Sequence, residues 1–574
     1  MMLYRMEHPQ PQMERRQWLN LNGEWEFEED PGCSGKERKI YETNFTQRIC
    51  VPFCPESELS GIGKKDFMSC VWYRKCVKTP EDWKGGHIIL HFGAVDYQAD
   101  VYINNTHMGT HRGGYGSFQM DVTKYWKREE ENVIAVCAQD YVRSGLQPKG
   151  KQSSLYHSHA CDYTRTTGIW QTVWMEHVPD QYIKAVRYYP DAQNGVLFIQ
   201  AQVEGRGILK AEAFYKEESM GQSEVNCQKG MASLMISLKE KHLWELGDGK
   251  LYDLILRFGE DEVKSYFGLR DIAMNGMHFQ LNGRTVFQRL VLDQGFYPDG
   301  IYTAPNEEAL IRDIQISLDA GFNGARLHQK IFEPRFLYHC DRMGYMVWGE
   351  HASWGLDLAD AKTLGTFLPE WVEAVNRDFN HPSIIGWCPF NETWDFEGKR
   401  QWDTILETVY GVTKALDPTR PCIDTSGNFH VKTDIFDVHD YEQDVKIWKD
   451  TYDKFREGIL IDRFKDRQTY KGEPVFVSEY GGIKWDVDST IASWGYGTAP
   501  KTEEEYMERY EGLTTALMEN EQFMGFCYTQ LYDVEQEKNG IYTYDRKQKF
   551  DLRRIKEVNE RVAACERKEQ EGRI

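Results

Sequence analysis

From Trp18 to about Pro179, apolar and polar positions alternate in short runs. Examples are Gly23-Glu24-Trp25-Glu26-Phe27, Ala99-Asp100-Val101-Tyr102-Ile103 and Asn132-Val133-Ile134-Ala135-Val136. Period-two alternation closed by Asn-Asn or Gly-Gly pairs predicts antiparallel strands, here a jelly-roll β-sandwich over residues 1–180. A second strand-rich stretch holds Val196-Leu197-Phe198-Ile199 and Leu254-Ile255-Leu256 and leaves through Phe267-Gly268-Leu269-Arg270. Its size predicts an immunoglobulin-like β-sandwich over residues 181–270. Beyond residue 271 apolar runs alternate with segments of helical period, the pattern of a parallel sheet with crossover helices. Eight strands are expected at 286–293, 324–328, 345–350, 384–389, 421–424, 435–439, 474–479 and 525–529. Helices are expected at 307–320 (capped by Asn306), 334–343, 369–380, 400–416 and 502–520. Eight such units predict a C-terminal (β/α)8 TIM barrel over residues 271–574, with the long connection 441–472 adding structure at its mouth.

A chain of 574 residues exceeds what one hydrophobic core supports, in keeping with this multidomain reading. Net charge is −21, which disfavours nucleic acid as a partner. No apolar run is long enough to cross a membrane, and the first residues mix Arg, Glu, His and Pro where a secretory signal would be apolar. The 13 cysteines are mostly scattered singly through apolar stretches, which predicts reduced thiols and a cytoplasmic protein. Aromatic residues make up 13% of the chain; packing explains most of them, and sugar pockets use the same side chains.

Catalytic groups of such barrels sit where strands end at their C-terminal side. Polar residues close the apolar runs at Asp293, His328, Glu350, Glu392, Asp424, His439, Glu479 and Asp533. Two stand out by context. Asn391-Glu392-Thr393-Trp394 follows the fourth strand, and Ser478-Glu479-Tyr480-Gly481-Gly482 follows the seventh. Barrel closure can bring these ends across one cleft. Glycoside hydrolysis with retention needs such a pair, roughly 5–5.5 Å apart, one carboxyl protonating the leaving oxygen and the other attacking the anomeric carbon. Glu392 is read as acid/base and Glu479 as nucleophile, with Asn391 placed to donate to a sugar hydroxyl. The alternating His157, His159 and Cys161 supply only part of a tetrahedral site, and no metal or other cofactor is expected to be required.

These residues resemble glycoside hydrolase family 2, which includes β-galactosidases, β-glucuronidases and β-mannosidases. The resemblance spans nearly the whole chain. It rests on Leu19-Asn20-Leu21-Asn22-Gly23-Glu24-Trp25, Val71-Trp72-Tyr73-Arg74, Gly168-Ile169-Trp170-Gln171, Phe267-Gly268-Leu269-Arg270, Gly321-Phe322-Asn323-Gly324-Ala325-Arg326, Asn391-Glu392 and Glu479-Tyr480-Gly481. It implies a retaining double displacement and a sandwich loop that reaches the sugar, where the matching acid is Asp162. Dimers or tetramers are common in the family, so a homo-oligomer is expected. The remaining sugar contacts are expected from Asp293, Arg326, His328, His439, Tyr441, Gln530 and Asp533, with stacking faces from Trp354, Trp394 and Trp485. His328 lies one place from where the family often carries its histidine. The Asn-x-Lys pair with which β-glucuronidases of the family grip a sugar carboxylate is here Glu537-Lys538-Asn539, which disfavours an acidic sugar unless Lys538, Lys330 or Arg326 supplies the charge. The expected function is an exo-β-glycosidase removing terminal sugars from small glycosides or oligosaccharides, β-D-galactosidase-like. The alternatives are a β-glucuronidase, galacturonidase or arabinosidase of the same family, and a non-catalytic carbohydrate-binding protein.

Overall fold

The computed structural model describes residues 4–228, 230–395, 398–460, 462–486 and 493–572. The first sandwich packs a four-stranded sheet against a six-stranded one, all antiparallel. Alternation does what it predicts: in Gly23–Glu29 the positions Trp25 and Phe27 are buried and Glu24 is exposed. Their partners between the sheets include Tyr73, Leu90, Val101 and Val136. The second sandwich pairs three strands with four, and Val196–Glu204 alternates buried and exposed side chains along its length.

Seven parallel strands form the main sheet of the third unit. They are Gln288–Asp293, Gly324–Leu327, Met346–Glu350, Ile384–Cys388, Phe436–Asp440, Val475–Gly481 and Phe523–Thr529. The expected strand at 421–424 is reduced to a bridge, in which Trp387 donates to the Pro421 carbonyl at 3.0 Å and Ile423 donates to that of Trp387 at 2.9 Å. Pro389 and Pro421 lack the N–H groups a continuous ladder needs. Pairing resumes one step later, between Phe390–Asn391 and Thr425–Ser426. Side chains then close the seam toward Phe436–Asp440, with Asp437 accepting from Ser426 Oγ at 2.5 Å and from the Gly427 amide at 3.2 Å.

The barrel interior is filled by Leu290, Leu292, Met346, Trp348, Ile385, Phe476 and Met524. Its floor is Phe279 and Leu281 from a small sheet, with Trp244 from the second sandwich. One helix departs from expectation by beginning at Lys362 rather than at residue 369. Pro369 lies within it, opposite Gly365 on the exposed face, where a carbonyl without its helical donor faces solvent at least cost. The long connection after Phe436–Asp440 contributes helix Val445–Asp453, capped by Asp444.

Both sandwiches are bolted to the barrel through buried polar contacts. Glu370, fully buried in helix Lys362–Asp378, accepts from the amides of Tyr115 at 2.6 Å and Gly116 at 2.8 Å, both in the first sandwich. Trp244 donates to the Asp341 carbonyl at 2.7 Å, and Arg270 to that of Ile384 at 2.7 Å. Among the described residues no helix is long and apolar enough to cross a membrane.

Removing the Glu370 carboxylate would strand two buried N–H groups, a cost of about 2–4 kcal/mol. Glu370→Ala is therefore expected to begin unfolding at lower urea, read by tryptophan fluorescence. An unshifted transition would show that the sandwich–barrel joint does not depend on this carboxylate.

Candidate active site

Arg326 is the last residue but one of the second barrel strand and is 1% exposed. Its Nε donates to Glu350 at 2.5 Å, Nη1 to the Ser478 carbonyl at 2.8 Å and to Glu479 at 3.1 Å, and Nη2 to the Asn391 carbonyl oxygen Oδ1 at 2.9 Å. One planar cation thus ties four strand ends together. It also orients Asn391 so that the amide Nδ2, buried and without a partner among the described residues, is left for a ligand.

Glu479 lies within Val475–Gly481 and receives the Tyr441 hydroxyl on its other oxygen at 2.5 Å. Tyr441 is held in turn by Thr529 Oγ1 at 3.0 Å and by stacking on Tyr496. Both carboxylate oxygens of Glu479 thus accept hydrogen bonds. Glu392 follows Phe390–Asn391 on a left-handed turn (φ 44°), an uncommon conformation for a side chain-bearing residue, and its amide donates to the Ser426 carbonyl at 2.8 Å. That turn lifts the side chain into the cleft, where it keeps 21% exposure.

Glu392, His439 and Glu479 each present an atom within 4.8 Å of the others. His439 Nδ1 is 2.7 Å from Glu392 and 3.4 Å from Glu479, and its Nε2 is 2.9 Å from Ser426 Oγ. The ring fits only because residue 427 is glycine, with φ 91°; a Cβ there would meet His439 Nδ1 at 2.4 Å. Burial opposes a charge on Glu392, but the hydrogen bond and charge of His439, with Lys151 and Arg326, outweigh it and hold its pKa below the ordinary value. Burial opposes the imidazolium as well, yet Glu479 and Glu392 outweigh that and raise the His439 pKa. The two shifts run in opposite directions, each favouring the charged form of its group. The same three side chains could geometrically share a cation, although Arg326 and Tyr441 already engage both oxygens of Glu479.

His328 is buried with Nδ1 3.5 Å from Glu350 and 3.9 Å from Glu479. Burial, then Lys151, press its pKa well below the usual imidazole value, so it is neutral. Asp162 stands on the sandwich loop as expected, with its carboxylate taken by Lys149 Nζ at 3.0 Å. Three expected contacts are instead tied into the barrel. Asp293 accepts from the Tyr532 hydroxyl at 2.6 Å and the Gly295 amide at 2.9 Å. Gln530 lies between Gln294 at 2.8 Å and Asn539 at 2.9 Å. Asp533 pairs with Lys549 at 2.5 Å. Of the tryptophans, Trp354 donates to the Asn391 carbonyl at 3.0 Å, Trp394 is exposed on the cleft wall, and Trp485 packs away on Tyr506 and Phe550.

Sequence reasoning missed Lys151, which the first sandwich inserts into the cleft. Gly150, at φ 56°, lets the loop pass where a Cβ would sit 2.6 Å from the Gln329 carbonyl. Lys151 Nζ lies 4.0 Å over the Trp354 ring, is almost fully buried, and has no hydrogen-bond acceptor among the described residues. Burial disfavours its charge, but Cys161, Glu537, Glu479 and Asp162 outweigh that and raise its pKa. The signal available in sequence was a glycine-lysine pair eleven residues ahead of Asp162. Lys330 and Lys538, expected as other cations, are spent elsewhere: Lys330 donates to the carbonyls of Gly295 at 2.5 Å and Tyr302 at 2.8 Å, and Lys538 lies 3.9 Å from Asp533. Glu537 was read only as a lost amide. It is buried, accepts from the Tyr163 hydroxyl at 2.5 Å and from Asn539 at 2.9 Å, and burial raises its pKa.

Residues 19–179 match the family model of the glycosyl hydrolases family 2 sugar binding domain, and residues 303–564 match that of the family 2 TIM barrel domain. A β-galactosidase of Thermoanaerobacter pseudethanolicus is 27% identical over 406 residues, which are 66% of this chain and 52% of that protein. The chain thus spans about half the length of that relative. A β-glucuronidase of Streptococcus agalactiae is 23% identical over 494 residues, 78% of this chain and 80% of that one. A solved structure of a Ruminococcus gnavus β-glucuronidase in complex with D-glucuronic acid superposes with TM-score 0.80 at 18% identity, covering 97% of this chain and 100% of that one, so it shares the fold. With both family models matched in chain order over sandwich and barrel, the chain belongs to glycosyl hydrolase family 2.

Proposed function

We propose that this protein is a retaining exo-β-glycosidase that releases terminal neutral sugars, β-D-galactosides foremost. The observation that carries this is that Glu392 and Glu479 face one another, each with a carboxylate oxygen within 4.8 Å of the other's, close enough for one to act as nucleophile and the other as acid. Glu479 attacks the anomeric carbon, the bond from that carbon to the leaving oxygen breaks, and Glu392 delivers a proton to that oxygen. Water then attacks the glycosyl–Glu479 ester as Glu392 takes its proton, and the Glu479 carboxylate departs. Neither step needs a redox cofactor or metal. The proton comes from the Glu392–His439 pair: a substrate oxygen arriving at Glu392 draws it from the imidazole onto the carboxyl.

Exo action fits the closed end of the cleft. Tyr163 binds Glu537 there, and Gln536 donates to the carbonyls of Ala160 at 2.7 Å and Asp162 at 3.0 Å, so sandwich and barrel loops seal it. A neutral sugar fits the place of Glu537, where the Asn-x-Lys pair that would hold a sugar carboxylate is replaced by an acid already engaged by Tyr163 and Asn539. A uronide is the second reading, favoured by one observation, the Lys151 ammonium that has no hydrogen-bond acceptor among the described residues.

Glu479→Gln is expected to fold normally and lose at least about 1,000-fold in kcat, because no covalent intermediate forms. Near-normal turnover would remove Glu479 as nucleophile. On nitrophenyl glycosides, the β-D-galactoside should exceed the β-D-glucuronide by tenfold or more in kcat/KM, a ratio of about 1.4 kcal/mol. The reverse order, abolished in Lys151→Met, would establish the uronide reading.

Glu392→Ala should slow substrates with poor leaving groups far more than nitrophenyl glycosides, whose leaving oxygen needs little protonation. Equal losses would point to a positional role. The raised imidazole keeps the pair protonated until pH climbs above the ordinary histidine value, so kcat/KM falls on that side. In His439→Gln the proton leaves Glu392 alone, and the basic limb of the profile is expected to move to lower pH; an unmoved limb would take His439 out of the proton path.

A further inference from the structure

Where the second sandwich meets the barrel, far from the cleft, three arginines gather around Phe379, and among the described residues a single carboxylate is hydrogen-bonded to them. Arg187 donates to the Leu416 carbonyl at 3.1 Å and to the side-chain oxygen of Asn376. Arg270 donates from Nε to the Pro382 carbonyl at 2.5 Å and from Nη2 to that of Ile384 at 2.7 Å, and its Nη1 has no acceptor among the described residues. Arg420 takes the carboxylate, that of Asp417 at 2.7 Å, and its Nε shares the Ile384 carbonyl with Arg270 at 2.8 Å, so the two guanidiniums lie side by side. Both are nearly buried, at 8% and 5% exposure, and both border one hollow of about 180 Å³ walled by Tyr189, Phe267 and Phe379. Asp271, an exposed residue, also borders it and accepts from the Ala192 amide at 3.4 Å. No residue borders both this hollow and the catalytic cleft.

Two adjoining buried cations with one bound carboxylate are costly, because a carbonyl dipole compensates a charge less than an ion does. The imbalance is unexpected in a chain that carries 90 acidic residues against 69 basic ones. Burial, then the charge of Arg420, press the Arg270 pKa down to about 9 against the pull of Asp417, Asp341 and Asp271, so it is still a cation at neutral pH. Asp417 cannot serve it as well, being engaged by Arg420, the Trp387 indole and Thr419. What would complete the set is an anion in the hollow. The space exceeds the roughly 30 Å³ share of a single water and falls below the roughly 300 Å³ at which clefts begin to enclose organic ligands. A guanidinium presents paired N–H groups that match the oxygens of a tetrahedral oxyanion. We propose that this hollow is a binding site for one inorganic oxyanion, phosphate or sulfate, held between Arg270 and Arg420 and clamping the second sandwich to the barrel. Bound to the folded joint and not to the unfolded chain, it stabilises the protein by mass action.

The test titrates inorganic phosphate, and in a separate arm inorganic sulfate, into the full chain by calorimetry, with chloride holding ionic strength constant. One saturable site is expected, with Kd below about 1 mM for the preferred anion, and the arm that binds more tightly identifies the occupant. Arg270→Lys, which keeps a charge but loses the planar fork, should weaken that site about tenfold or more. Asp271→Asn keeps an acceptor for the Ala192 amide and removes the carboxylate that repels the anion, so it should tighten the site about threefold or more. With the anion at about ten times its Kd, the thermal midpoint of the wild type should rise by about 1–2 °C over chloride of equal ionic strength. Absence of saturable binding in both arms, or a midpoint that chloride raises equally, would overturn the site. An affinity unmoved in Asp271→Asn would overturn it too, whether or not Arg270→Lys folds, since the anion would then be bound elsewhere.

Discussion

A single buried guanidinium organises the catalytic end of this barrel. Arg326 has two carboxylates, one main-chain carbonyl and one side-chain amide around it, drawn from three other strands. A cation this deep is tolerable only because Glu350 and Glu479 compensate it, and breaking such a set from one side costs about 3–5 kcal/mol. The compensation has a second effect. Glu479 is pinned at one oxygen by Arg326 and at the other by Tyr441, and Asn391 is turned so that its amide donors face the cleft. Architecture and chemical poise come from the same bonds.

The cleft is finished by groups the barrel does not own. The first sandwich supplies Lys151, Asp162 and Tyr163 on one loop, and that loop is pressed on the barrel by Gln536 and Glu537. Lys151 influences Glu392 and Glu537 without a direct hydrogen bond to either. The arrangement makes the joint between domains part of the electrostatics of the site, which is why buried contacts such as Glu370 with the Tyr115 and Gly116 amides matter beyond stability.

His439 and Glu392 are electrostatic partners: burial opposes a charge on each, and the other's opposite charge favours it. Such a pair titrates as a unit, so its pH behaviour belongs to both residues.

Much of this protein was legible in the residues alone. Local alternation marks the sandwiches because a strand with one buried face must repeat every second residue, and apolar runs interleaved with helical period mark the barrel. Glu392 and Glu479 stood out because each follows a wholly apolar run in a fold whose strand ends carry chemistry. The missing piece of fifth strand and the early start of the helix around Pro369 were decided by which N–H and carbonyl groups find partners, and neighbours in space settle that. The same holds within the site. Asp293, Gln530 and Asp533 have the residue types of sugar contacts, yet Tyr532, Asn539 and Lys549 occupy them. Lys151 looks ordinary in sequence and acquires meaning only when burial removes water and the fold leaves it, among the described residues, an aromatic face but no hydrogen-bond acceptor. Sequence determined which chemistry was available; tertiary structure determined which groups were left free to perform it, because a hydrogen bond made within the protein is one no longer offered to a ligand.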